Sequence, residues 1–145
     1  MDVTKEELKR RFDEYNKLYF FGALGKCEFH FLNKNVIVLG KYNEKMNSRG
    51  RTSQIWLGQS VVWSDALLRN VLIHEMVHMY NFTVEGCKFD GVLGHGRYFR
   101  RQCRRLKRDY GLNISAHSFD CKVQYKVQVE RAGIFVRFLH WLIDR

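Results

Sequence analysis

Residues 72–80 read LIHEMVHMY, which sets His74 and His78 four apart with Glu75 directly after the first. On an α-helix, positions four apart differ by about 40° in azimuth, so two imidazoles at that spacing project from neighbouring turns and can grip one ion together. Glu75 points about 100° away from His74, where a carboxylate can take a proton from water at the metal. The chemistry that this spacing suggests is metal-assisted hydrolysis, with Glu75 as the base. A helix that merely buried these groups among Leu72, Ile73, Met76 and Val77 would carry a costly load of polar atoms.

A catalytic zinc usually takes three protein ligands and leaves its fourth position to water, so a third ligand is required. The metzincin spacing would put it at Val84, which cannot bind a metal. Glu85, Asp90 and His95 follow, and His95 is preferred because it sits between Gly94 and Gly96, where a glycine-flanked backbone can come close to an ion. Tyr42, Tyr80, Tyr98 and Arg97 are all candidates for stabilising an oxyanion. His30, His117 and His140 read as ordinary surface or core positions.

The elements that must position these residues can be read from the same chain. Thr4 followed by Glu7 is a capping-box pattern, and Leu8, Phe12, Tyr15 and Tyr19 recur at helical spacing, predicting a helix from Thr4 to about Phe20. Cys27, Phe29 and Phe31 alternate with polar residues as a half-buried strand would, VIVLG (36–40) reads as a second strand, and TSQIWLG (52–58) reads as a third. A polar, glycine-containing loop is expected between Lys41 and Arg51. Ser64 is an N-cap for a long apolar helix reaching about Phe82, which carries the histidine motif. The segment 83–96 holds four glycines and reads as a loop returning the chain to the site. A basic helix then runs to Gly111, followed by a strand in CKVQYKVQVE (121–130) and a closing helix in IFVRFLHWLIDR (134–145). The fold class is therefore α+β.

At 145 residues the chain is read as a single domain, residues 1–145, able to bury about two thirds of its unfolded surface. The four cysteines lack paired spacing and read as reduced thiols; with a charged, helical amino terminus in place of a secretory signal, they suggest the cytoplasm. GIFVRFLHWLI is too short and too interrupted to span a bilayer. The net charge of +10 would attract polyanions.

YNKLYFFGAL, SQIWLG, VLIHEMVHMY and GHGRYFRRQCRRL occur in this order over roughly residues 8–108. In this the chain resembles the SprT-like family, which includes bacterial SprT proteins and the protease domain of the eukaryotic protein Spartan. The resemblance implies a zincin-like metallopeptidase fold, a small antiparallel or mixed sheet packed on the active-site helix. It implies zinc held by His74, His78 and His95, with Glu75 as catalytic base. It also implies that SQIWLG is the edge strand beside the cleft, where Gln54, Ile55, Trp56 and Leu57 would receive an extended protein or peptide substrate as an added strand. Many family members end in a zinc ribbon with paired cysteines; this tail has only Cys121, so a second, structural zinc is not expected.

Arg97, Arg100, Arg101, Arg104, Arg105, Lys107 and Arg108 crowd one helix whose Phe99, Cys103 and Leu106 fall on one side, so the cations are expected to face outward. Through Spartan's action on proteins crosslinked to DNA, the resemblance implies DNA as the partner this surface would suit. The expected protein is thus a monomeric zinc metallopeptidase. The rival is a non-enzymatic nucleic-acid-binding protein braced by zinc, but structural zinc sites are normally closed by four protein ligands.

Overall fold

The computed structural model describes residues 1–34, 36, 38–92, 94–116 and 123–126. Its elements, in chain order, are α1 (Lys5–Tyr19), β1 (Cys27–Leu32), β2 (Gly40–Asn47), β3 (Gly50–Gly58), β4 (Val61–Val62), α2 (Asp65–Thr83), α3 (Arg97–Tyr110) and β5 (Gln124–Tyr125). The fold is α+β. The expected strand over 121–130 is described only at β5, and the expected closing helix lies outside the described residues.

Helix α1 starts where the capping pattern put it: the Glu7 N–H donates to the Thr4 hydroxyl at 3.1 Å. It buries Leu8, Phe12 and Tyr15 and meets β1 through an edge-on contact between Phe12 and Phe29 at 5.5 Å. Arg11 is buried with them and bonds both Glu7 (2.7 Å) and Asp65 (2.5 Å), which ties α1 to the first turn of α2.

The three-stranded sheet has the order β1–β3–β2, with β3 parallel to β1 and antiparallel to β2. Two sequence expectations are corrected here. The stretch 41–51 is not a loop: it forms β2 and its turn into β3, while Val38 and Leu39 of the expected VIVLG strand are buried but outside the ladder. SQIWLG is not an edge strand either, because β3 is hydrogen-bonded on both sides. Gln54, Ile55, Trp56 and Leu57 already pair with β1 and β2, so no substrate strand can add to them. Among the described residues, the edge strand beside α2 is β2.

Helix α2 begins at the Ser64 cap, whose hydroxyl accepts from Leu67 N–H at 3.1 Å. It is buried nearly all round, as expected of a helix apolar on most of its faces. Its residues join α1, the sheet, Phe99 and Leu106 of α3, and Leu112 and Ile114 in one hydrophobic core. Among the described residues, no helix is long and apolar enough to cross a membrane.

Candidate metal centre

Because α2 is held on most sides, its polar residues are rigidly presented. His74 is only 3% exposed, and its Nδ1 lies 3.0 Å from the carbonyl oxygen of Ser115. A carbonyl can only accept, so Nδ1 carries the proton and the lone pair of Nε2 points away from it. That Nε2 lies 3.2 Å from Nε2 of His78 and 3.2 Å from Nε2 of His95.

These three nitrogens converge from two separate segments, within 4.8 Å of one another. A tetrahedral zinc with bonds of about 2.0–2.1 Å would separate its nitrogen ligands by about 3.3 Å. The donor set and its spacing therefore fit that ion, with one coordination position left over. Phe99, at the start of α3, packs against all three rings, with centroid separations of 4.8 Å to His74, 4.9 Å to His78 and 4.6 Å to His95. Sequence reading assigned Phe99 to the core and missed this role.

The two other third-ligand candidates are engaged elsewhere. Glu85 forms an ion pair with Arg101 at 3.2 Å. Asp90 accepts from the backbone N–H groups of Tyr98 (3.0 Å) and Phe99 (2.7 Å), one on each carboxylate oxygen.

Glu75 is 5% exposed and lies on the flank of α2 that meets β2. There Gly40 comes so close that a Cβ on it would sit 2.8 Å from Val71 Cγ1 and 3.0 Å from Glu75 Oε1. Two residues along β2, the Tyr42 ring approaches Phe82 at 6.5 Å. The strand thus tracks α2 past Val71, Glu75, His78 and Phe82, and a cleft of about 380 Å³ opens beside His78 between β2 and the 87–94 loop. Tyr42, Glu44, Asn81, Phe82 and Phe89 are among its walls.

Of the oxyanion candidates, Tyr42 lines this cleft, and its hydroxyl donates to the Glu44 carboxylate. Burial is the main reason its phenol is held well above the usual range, with that hydrogen bond second. Tyr80 is in the core against Phe20, Tyr98 lies under the Arg101 guanidinium, and Arg97 is exposed.

The basic helix is only partly as expected. Arg97, Arg100, Arg104 and Lys107 are exposed and make no ion pair among the described residues. Arg101 pairs with Glu85, and Arg108 with Asp109 at 2.7 Å. Arg105 does not face outward: it donates to Gln102 and to the Tyr19 carbonyl, each at 2.8 Å, and its guanidinium lies 5.0 Å from the Phe21 ring. The carbonyl is a helix-end acceptor in want of a donor, and the aromatic faces around Arg105 attract its charge.

No curated protein matches the chain. A family model, that of the SprT-like family, matches residues 8–118.

Proposed function

The chain belongs to the SprT-like family, and on that premise we propose that it is a zinc metallopeptidase of zincin-like fold, hydrolysing peptide bonds in protein substrates. The observation that carries this reading is the convergence of the His74, His78 and His95 Nε2 atoms at zinc-ligand spacing, beside a buried carboxylate on the same helix. Zinc held by these three imidazoles would supply Lewis acidity, polarising the scissile carbonyl and lowering the pKa of water towards neutrality.

The protein's own groups do the rest. Glu75 accepts the proton of the attacking water on its carboxylate and delivers it to the nitrogen of the departing amine. The burial of Glu75 keeps bulk water from competing for that proton. An extended substrate pairs with β2, the edge strand among the described residues, which runs along α2 past Glu75, and places side chains in the cleft beside His78. Three free thiols at Cys27, Cys87 and Cys103 suit a reducing compartment such as the cytoplasm.

A purely structural zinc would serve a nucleic-acid-binding protein, but three histidines with a position to spare, flanked by a carboxylate, match catalytic sites. The test is Glu75→Gln, assayed with zinc on an unfolded protein substrate. Turnover should fall at least about 100-fold while zinc stoichiometry stays at one. Full activity in a zinc-loaded variant would refute the assignment.

A further inference from the structure

Two of the three imidazoles stand on α2, which the core immobilises. The third is on a very different support. His95 lies in the seven-residue span from Asp90 to Gly96, where Gly91 and Gly94 take left-handed backbone conformations (φ 82° and 58°) and Val92 is 84% exposed. Glycine-rich backbone loses the most conformational freedom on ordering, and the exposed Val92 contributes almost no burial in return. Beyond the packing of His95 on Phe99, backbone hydrogen bonds and a carboxylate help hold this span in register with α2.

Asp90 meets that need from both ends. Its backbone oxygen accepts from Gly96 N–H at 2.8 Å, closing the span into a ring. Its carboxylate accepts from Tyr98 and Phe99, the second and third residues of α3. These are the N–H groups that a helix's own N-cap normally satisfies, but Gly96 has no side chain to offer. Nor does α3 carry an acidic residue in its first turn, while Arg97, Arg100 and Arg101 crowd the positive end of its dipole. A carboxylate donated from the preceding loop offsets both deficits with charge-assisted bonds.

The fit admits no side chain at position 96, because a Cβ there would lie 2.6 Å from the Asp90 carbonyl oxygen and 2.7 Å from its Oδ1. Gly96 is therefore glycine because Asp90 occupies that space. The same two carboxylate bonds fix Phe99, whose ring backs all three imidazoles.

We propose that Asp90 is the positioning residue of the metal centre: clasped to Gly96 and to the first turn of α3, it holds His95 at the place where the third ligand must be. This rests on the zinc reading above. It assigns Asp90 no contact with metal or substrate.

The experiment measures zinc affinity by competition with a chromogenic chelator, together with the visible spectrum of the cobalt-substituted protein. It compares wild type, Asp90→Ala, Asp90→Asn and Thr4→Ala. Asp90→Ala should bind zinc about 10- to 100-fold more weakly and give an altered cobalt spectrum. Asp90→Asn, which keeps one acceptor, should fall between it and wild type, and it carries the test if the alanine variant does not fold. Thr4→Ala removes a comparable cap from α1, so it should lower thermal stability and leave affinity and spectrum unchanged. Wild-type affinity in both Asp90 variants, or an equal loss in Thr4→Ala, would overturn the proposal. A wild-type protein that binds no zinc would remove the metallopeptidase reading itself, and this inference with it.

Discussion

Glu75 and the glycine opposite it show how little room the site allows. Gly40 stands where any Cβ would press on Glu75 Oε1 and Val71 Cγ1, so the distance between β2 and α2 is set by the absence of a side chain. Gly40→Ala must therefore displace Glu75, the helix or the strand. The expected result is a fall in kcat of at least about 10-fold, since misplacing a reacting group by about 1 Å can cost 100-fold, with zinc content unchanged because no ligand is touched. Single-turnover kinetics and metal analysis on the same sample would check it. The histidines and Glu75 were legible in the sequence because one helical period relates them. His95 was preferred over Glu85 and Asp90 for its flanking glycines rather than by any period, since loop residues carry none. The roles of Phe99 and the Ser115 carbonyl were not legible, because each acts across a tertiary contact. The pattern of an aspartate, a glycine-rich span and then a basic helix without its own cap was the available signal for Asp90.

At the scale of elements, the three described helices and strands β1 and β3 were read well, while β2 and the strand order were not. Thr4, Ser64 and Gly111 mark helix ends through their own local bonds and backbone preferences, so sequence reports them directly. Strand β2 gives no such report: of the positions it turns towards α2, Gly40, Tyr42 and Glu44, only Tyr42 is a large apolar residue, while the apolar run 36–40 looks far more like a strand. Strand order is set by non-local pairing, which explains why β3 was expected at the edge and is found in the centre. Helix α3 was read correctly in extent but not in the use of every arginine. Arg105→Ala should cost about 1–3 kcal/mol of stability, since it strips the donor from the Tyr19 carbonyl and the cation from three aromatic rings. Arg104→Ala, on the exposed side, should change stability by no more than about 0.5 kcal/mol. Urea denaturation of both would show the contrast, and equal losses would mean that Arg105 is no clamp.

For the whole molecule, the net charge of +10 sets long-range behaviour, while the exposed cations of α3 concentrate it at one place. If Arg97, Arg100, Arg104 and Lys107 follow phosphates, duplex affinity should fall with salt at a log–log slope of about −3 to −4. Changing the three arginines to alanine should flatten that slope by about 3. A fluorescence-anisotropy titration at several salt concentrations would measure both, and no binding at low salt would leave the charge a matter of solubility alone.

The Ser115 carbonyl also decides where the polypeptide can be shortened. A fragment stopped at Gly111, the natural end of α3, would keep all three imidazoles and Glu75. It would nevertheless lose the acceptor that fixes the tautomer of His74, along with Leu112 and Ile114 from the core. On the metallopeptidase reading, such a fragment would lose activity although His74, Glu75, His78 and His95 all remain, so the minimal unit worth expressing extends at least through Ala116.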